Sequence, residues 1–150
     1  MSASKVVALK IIVNTDGGSR GNPGVAATGF VIQGIGMGLK EYSEFLGKAT
    51  NNEAEYRAAI SALKKVRQLV GRDKLEQTEV EMRLDSELVV KQLSGEYKIE
   101  EKNLQLLFME IWNLKFDFPK LIFKAIPREE NKRADALVNI CLDKESSRLF

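Results

Sequence analysis

Runs of apolar residues along the chain predict five β-strands. The predicted strands cover residues 6–13, 26–35, 37–45, 78–84 and 121–126. The first is a nearly continuous apolar run rich in β-branched residues, which is typical of a strand buried inside a sheet. Glycines within 34–38 separate the second and third strands, so these two are expected to form an antiparallel meander. Residues 14–24, after the first strand, are dense in turn-forming types and predict a loop.

Apolar residues at helical spacing predict four helices, at residues 52–70, 86–93, 102–114 and 133–141. The first is the clearest, because its apolar positions recur about every 3.6 residues and Gly71 supplies a stop. The element order βββαβααβα predicts an α/β fold, a five-stranded mixed sheet with helices on both faces. No repeat or linker divides the 150 residues, so we expect a single domain over 1–150.

The distribution of charged residues along the chain is more informative about function than the net charge. The net charge is only +2, and by itself it does not indicate a polyanionic partner. Residues 57–74 hold six basic residues and one acidic one, whereas residues 76–101 hold eight acidic and three basic ones. This separation suits a protein that holds phosphates in one place and cations in another. A solvated helix face beside an ordinary acidic surface would look the same.

The chain has no histidine and one cysteine, Cys141. The lack of histidine excludes histidine-activated nucleophiles, histidine-ligated zinc and a histidine proton shuttle. Cys141 has no partner for an internal disulfide and is expected to be a buried thiol in a helix. No signal peptide and no run of about 18 apolar residues is visible. We therefore expect an intracellular, cytoplasmic protein without a membrane span.

Two carboxylates follow predicted interior strands. Asp16 comes shortly after the first strand, and Asp85 comes directly after the strand at 78–84. In open α/β sheets, ligand groups collect at the carboxyl ends of the strands. If these two strands are parallel neighbours, their spacing places the two carboxylates about 5–10 Å apart.

Two more carboxylates lie in predicted helices, and each has a second explanation. Glu55 lies on the apolar stripe of its helix, where burying an unpaired carboxylate is costly, but it could instead close a capping box with Asn52. Asp135 lies in the first turn of the last helix, where the helix dipole favours an acid without any other role. Taken together, the four carboxylates fit Mg²⁺ or Mn²⁺, and two such ions about 4 Å apart can promote an in-line phosphoryl displacement.

Four segments resemble the motifs of type 1 ribonuclease H, and the resemblance covers nearly the whole chain. They are TDGGSRGNPG at 15–24, TNNEAEY at 50–56, DS at 85–86 and PREENKRAD at 127–135. The resemblance implies a ribonuclease H-like fold. It also implies an endonuclease that hydrolyses the RNA strand of RNA/DNA hybrids and leaves 5′-phosphate and 3′-hydroxyl ends.

The resemblance further implies the catalytic and metal-binding residues. Those that match the family's carboxylate set are Asp16, Glu55, Asp85 and Asp135. The set would hold two Mg²⁺ ions, with Mn²⁺ as a substitute. By analogy, Asp16 bridges both ions and Asp135 helps to hold the ion that activates water. Glu55 and Asp85 hold the other ion.

The same resemblance implies substrate contacts. Backbone groups of residues 17–19, together with Glu55, would sense the ribose 2′-hydroxyls that separate RNA from DNA. The matched binding positions are Gly17, Gly18, Ser19, Asn22, Thr50, Asn51, Asn52, Ser86 and Arg128. For the polar residues among them, turn or helix-cap chemistry is an alternative explanation. We expect a monomer whose partner is the hybrid, with no membrane and no obligate protein partner.

Many family members carry a histidine in the loop before the last motif, and this chain lacks it. Arg128 is the nearest residue to that place. An arginine stays protonated and is not a base, but it can stabilise charge on the scissile phosphate. The alternative is a surface arginine that pairs with Glu129 or Glu130.

The basic, tryptophan-rich protrusion of some members is also missing. A short acidic stretch at residues 94–101 stands in its place. Hybrid binding would then lean on Lys98, Lys102 and the basic helix, and it should be sensitive to salt. Trp112, alone in its helix, is expected in the core rather than as a platform for bases.

Two other interpretations stay open at the level of sequence. One is a domain of this fold that binds nucleic acid without cutting it, although such a domain has no need to crowd four carboxylates. The other is a metal-dependent nuclease or integrase of the same fold that acts on DNA. The segments at 17–19 and 50–52 favour the RNA/DNA interpretation, through the resemblance alone.

Overall fold

The computed structural model describes residues 9–34 and 36–148. One five-stranded sheet has the strand order β3-β2-β1-β4-β5. The strands are β1 (Leu9–Gly21), β2 (Gly24–Gly34), β3 (Gly38–Ala49), β4 (Thr78–Leu84) and β5 (Lys120–Ala125). The first three form the predicted antiparallel meander, and β4 and β5 run parallel to β1. The predicted mixed sheet is confirmed, while its predicted residues 6–8 and 35 lie outside the described residues.

Four α-helices flank the sheet: α1 (Asn51–Val70), α2 (Glu87–Leu93), α3 (Lys102–Lys115) and α4 (Lys132–Arg148). Each matches a predicted helix, but α4 runs on well past residue 141. The apolar spacing ends with Leu142, and the residues that follow are mostly polar, with an i,i+3 ion pair between Glu145 and Arg148. Two short 3₁₀ helices, Arg72–Gln77 and Arg128–Glu130, were not predicted.

The two faces of the sheet carry different helices. The main apolar core lies between the sheet and α1, α2 and α3. Ile11 and Val13 of β1 are fully buried in it. Helix α4 covers the opposite face, where Val138 and Leu142 pack on Ala27 of β2. Because α1 and α4 approach β1 from opposite sides, residues from both helices can meet near its carboxyl end.

The stretch after residue 13 is where the predicted fold is wrong. A loop was expected, but β1 continues to Gly21 and pairs with β2 from Ile11 to Gly21. Only Asn22 and Pro23 separate the two strands. The glycines mislead because one of them serves close packing: a Cβ on Gly17 would lie 2.2 Å from the carbonyl carbon of Ala54 in α1. Polar and glycine-rich composition here marks a close strand–helix approach.

Trp112 does not lie in the core, contrary to prediction. Its side chain is 45% exposed, and its ring meets that of Phe116 edge-on. The buried stripe of α3 runs through Leu104, Ile111 and Leu114, and Trp112 falls just beside it. Cys141 is partly buried, and this burial raises the pKa of its thiol. Among the helices described, none is both long and apolar enough to cross a bilayer.

Candidate active site

Asp16 and Asp85 lie where the pairing of two parallel neighbouring strands stops. Asp85 follows the end of β4, as predicted, whereas Asp16 lies inside β1, which continues to Gly21. The parallel pairing of β1 with β4 stops at Asn14 and Arg83, and each carboxylate comes two residues after that last pair. Carboxylate oxygens of Asp16, Asp85 and Glu55 all lie within 4.8 Å of one another. The first two carboxylates are therefore slightly closer than the expected separation of about 5–10 Å, and Glu55 joins them from α1.

Glu55 is not part of a helix cap. The capping box of α1 is formed by Thr50 and Glu53: the Thr50 hydroxyl accepts from the backbone of Glu53, and the Glu53 carboxylate accepts from the backbone of Thr50. The box proposed from sequence, with Asn52 and Glu55, is therefore wrong by two residues. Glu55, two residues beyond Glu53, is left without a capping role, and its carboxylate meets Asp16 instead.

Asp135 completes the group from the other side of the sheet. It lies in the first turn of α4, and its backbone N–H donates to the Asn131 carbonyl. Its side chain hydrogen-bonds to Asp16, and its charge raises the pKa of that residue. Asp135 is more exposed than the other three carboxylates. A favourable place at the helix N-terminus and a place in the cluster are therefore compatible.

Crowding of like charges has a large effect on two of these groups. Burial, followed by repulsion from Asp85, Asp135 and Glu55, raises the pKa of Asp16 to about 8. Burial and the Asp85 charge raise the pKa of Glu55 to about 7, although hydrogen bonding from Ser86 and the charge of Arg128 oppose this rise. The cluster therefore holds protons at neutral pH unless a cation neutralises it.

The donor set fits a hard divalent cation. It offers only carboxylate oxygens, which are the ligands that Mg²⁺ and Mn²⁺ favour, and no nitrogen or sulfur. Three of the carboxylates are close enough to share one ion, and Asp135 adjoins them through Asp16. The four carboxylates that the resemblance singles out are thus brought together, and their oxygen donors fit such an ion.

Asn131 is a residue of this site that sequence reasoning missed. It is 1% exposed. Its amide donates to the Asp85 carboxylate and to the Thr15 carbonyl, at 2.9 Å each, and its oxygen accepts from Asn14 at 3.2 Å. One side chain thus ties β1, the end of β4 and the start of α4 together. The sequence offered two signals: Asn131 lies within the matched segment at 127–135, and it precedes Asp135 by four residues, which is typical of any helix start.

Most of the predicted substrate-binding residues line one open cleft of about 420 Å³ beside the four carboxylates. Those that line it are Gly17, Gly18, Ser19, Asn51, Asn52, Ser86 and Arg128. Arg20 and Asn139 also line it, and neither was singled out from the sequence. Thr50 and Asn22 are not among the lining residues.

Asn22 and Thr50 instead organise the wall of the cleft. Asn22 accepts a 3.1 Å hydrogen bond from the backbone of Asn51. Asn51 in turn accepts a 2.8 Å hydrogen bond from the backbone of Ser19. Thr50 caps α1. The cap and turn chemistry considered from the sequence is thus present, and it joins the β1–β2 turn to the start of α1.

Arg128 lines the same cleft as the four carboxylates. Its charge acts on Glu55, and its side chain is part of the cleft wall. Within residues 9–34 and 36–148, the ion pairs do not include one between Arg128 and Glu129 or Glu130. The alternative explanation of Arg128 as half of a surface pair finds no such contact.

Comparison with known proteins places this geometry in a family. Residues 14–141 match the family described as "Reverse transcriptase-like". The solved structure of LC11-RNase H1, isolated from compost by a metagenomic approach, is 48% identical and covers 91% of this chain and 97% of its own, with a TM-score of 0.85. The same protein has been solved in complex with an RNA/DNA hybrid, at 47% identity.

Two curated relatives extend the likeness. "Ribonuclease HI" of Halobacterium salinarum is 41% identical over 129 residues, which are 85% of this chain and 62% of that protein. "Bifunctional protein Rv2228c" of Mycobacterium tuberculosis is 37% identical over 137 residues, 90% of this chain. The chain spans only 36% of the length of that mycobacterial relative. Fold, cleft and relatives agree, and the chain belongs to the type 1 ribonuclease H family.

Proposed function

We propose that this protein is a metal-dependent endonuclease that hydrolyses the RNA strand of RNA/DNA hybrids and leaves 5′-phosphate and 3′-hydroxyl ends. The observation that carries the proposal is the convergence of Asp16, Glu55 and Asp85 within 4.8 Å at the floor of an open polar cleft. The hybrid complex of LC11-RNase H1, a protein of nearly the same extent, supports the choice of substrate.

The four carboxylates would hold two divalent ions, Mg²⁺ or Mn²⁺. Bound there, the ions would activate a water molecule and stabilise the leaving oxygen of the cut phosphodiester. The chain's own part is to keep four acids in place despite their repulsion. Asn131 fixes Asp85, Ser86 and Arg128 offset the charge of Glu55, and the N-terminus of α4 favours Asp135.

Recognition of RNA would come from the wall that β1 shares with α1. The backbone of residues 17–19 borders the cleft, with Asn51 and Asn52 beside it. These groups and the Glu55 carboxylate are suited to hydrogen-bond ribose hydroxyls and sugar–phosphate edges in the wide minor groove of a hybrid. Lys98, Lys102 and the basic face of α1 would add contacts that depend on salt.

Proton transfer in this enzyme would not use histidine, because the chain has none. Arg128, which lines the cleft, would contact the scissile phosphate and stabilise its charge. It does not accept a proton, so proton transfer would fall to water and the carboxylates. We further propose a monomer acting in the cytoplasm.

A labelled RNA/DNA hybrid tests the proposal. Incubated with Mg²⁺ or Mn²⁺, the wild type should cut the RNA strand, and Asp16→Asn should not. Asp73→Asn is a matched control, because Asp73 is exposed in a 3₁₀ helix and is not among the cleft residues. Binding of hybrid without cleavage under either metal would refute the catalytic proposal. Equal cleavage of duplex DNA would refute the substrate class.

A further inference from the structure

Arg20 lies on the same face of β1 as the catalytic carboxylate Asp16. Side chains alternate along a strand, so Asp16, Gly18 and Arg20 share the face that α4 covers. Contacts agree with this: a Cβ on Gly18 would meet Val138 of α4 at 3.2 Å. Both Asp16 and Arg20 line the same cleft.

Helix α4 presents a polar stripe to that end of the cleft. Asp135, Asn139 and Asp143 are spaced by four residues and so lie along one side of the helix. The Arg20 guanidinium pairs with the Asp143 carboxylate at 2.6 Å and approaches the Asn139 amide oxygen at 3.4 Å. A basic group of the cleft wall is thus held by an acid on the neighbouring helix.

Arg20 can exchange the Asp143 carboxylate for another anion. The Arg20 and Asp143 side chains are 41% and 68% exposed, and a pair this open contributes little to stability. A guanidinium binds phosphate with the same planar pair of N–H donors that it offers to a carboxylate. A nucleic-acid phosphate entering the cleft would also be repelled by Asp143.

We propose that Arg20 binds a backbone phosphate of the substrate away from the cut, and that Asp143 competes with that phosphate for the guanidinium. The inference rests on the proposed function, because it needs a nucleic-acid strand in this cleft. It assigns Arg20 to substrate binding and makes Asp143 a built-in competitor that weakens binding.

The position along the strand follows from the geometry of β1. Four residues separate Asp16 from Arg20, which corresponds to about 13 Å between their Cα atoms in an extended strand. With one phosphate per about 3.4 Å of helix axis on each strand, and allowing for the reach of the arginine, the bound phosphate lies roughly two to four nucleotides from the scissile one.

Steady-state kinetics and equilibrium binding to a hybrid separate this role from a structural one. Arg20→Ala should raise KM about three- to tenfold with kcat little changed, and the slope of log affinity against log salt should fall by about 1. Asp143→Asn should lower KM by about twofold, because the competing acid is removed. In the Arg20→Ala background, Asp143→Asn should have a much smaller effect.

The pair of Arg148 and Glu145, also on α4, is the matched control. It is an arginine–carboxylate pair at 3.3 Å, and neither residue lines the cleft. Glu145→Gln and Arg148→Ala should leave KM and the salt dependence unchanged. Melting temperatures of all variants check that the fold is intact.

Hybrids with single neutral methylphosphonate linkages locate the contact. For the wild type, neutralising one linkage two to four nucleotides from the cut should weaken binding of the hybrid. For Arg20→Ala, neutralising the same linkage should have no added effect. The inference is overturned if Arg20→Ala changes neither KM nor the salt slope, or if Asp143→Asn acts equally with and without Arg20.

The behaviour of the wild type shows whether only the inference about Arg20 fails or the proposed function fails as well. If it cuts hybrid but Arg20→Ala behaves like it, only the role of Arg20 is wrong. If the wild type neither binds nor cuts hybrid, the proposed function is wrong and the Arg20 inference falls with it.

Discussion

The Asn131 side chain donates a 2.9 Å hydrogen bond to the Asp85 carboxylate from a position that is almost fully buried. The same amide group also donates to the Thr15 carbonyl, directly beside Asp16. The amide therefore fixes one candidate metal ligand relative to another without being a ligand itself. Partners of this kind set the orientation of carboxylates at metal sites.

Asn131→Ala should lower kcat by about 10- to 100-fold, because Asp85 loses the donor that orients it. It should also cost about 2–3 kcal/mol of unfolding free energy, since buried polar groups lose their partner. Cleavage kinetics and urea denaturation measure the two effects. Asn113→Ala, at an exposed position of α3, is the matched control. Unchanged kcat in a folded Asn131→Ala protein would show that Asp85 needs no such support.

Two glutamates at neighbouring positions of α1 should respond in opposite ways. Glu53→Ala removes half of the capping box and should cost about 0.5–1 kcal/mol of stability while cleavage persists. Glu55→Gln should abolish cleavage without loss of stability, because the burial and repulsion that raise the pKa of Glu55 to about 7 disfavour its charged form. Thermal melts and cleavage assays on both variants decide this. Loss of activity in Glu53→Ala alone would reverse the assignment.

The sequence predicts the contacts of this site between residues that are near in the chain better than those between residues that are far apart in it. The apolar periodicity located each strand and α-helix of the described residues, and the expected parallel pairing of β1 with β4 was enough to bring Asp16 near Asp85. The role of Glu55 could not be decided, because its two explanations differ by a shift of the helix start from Asn52 to Thr50. Such boundary shifts are the least certain part of any prediction from periodicity.

Contacts between distant segments were beyond the reach of these patterns. The bond from Asn131 to Asp85 joins residues 46 positions apart, and that from Arg20 to Asp143 joins residues 123 positions apart. Neither has a local signature. Likewise, a glycine at position 17 is as consistent with a turn as with the close approach of α1 that the structure contains. Tertiary packing decided between these two explanations.

Gly17→Ala should destabilise the protein by more than about 2 kcal/mol, because its Cβ would lie 2.2 Å from backbone atoms that cannot move alone. Gly18→Ala is the matched control: its Cβ would meet only a methyl group of Val138, at 3.2 Å, and this side chain can shift. Its cost should stay below about 1 kcal/mol. Equal denaturation midpoints for the two variants would mean that α1 does not pack on β1 as described.

Stability of the metal-free protein should fall as pH rises. Asp16 has a pKa of about 8 in the fold against its ordinary value of 3.8, so the folded state binds the proton more tightly than the unfolded chain does. The resulting stabilisation is complete below about pH 4 and is lost as pH rises through about 8. Glu55 acts in the same direction. Melting temperatures in the presence of a chelator should therefore decrease between these limits.

Asp16→Asn isolates the contribution of Asp16 to that pH dependence. Asparagine mimics the neutral carboxyl at every pH, so the variant should melt close to the wild type in acid and clearly above it at about pH 9. Mg²⁺ should stabilise the wild type more at about pH 9 than at about pH 6, since at the lower pH it must displace protons from the cluster. If the difference in melting temperature between the two proteins did not grow with pH, the crowding of charge around Asp16 would be contradicted.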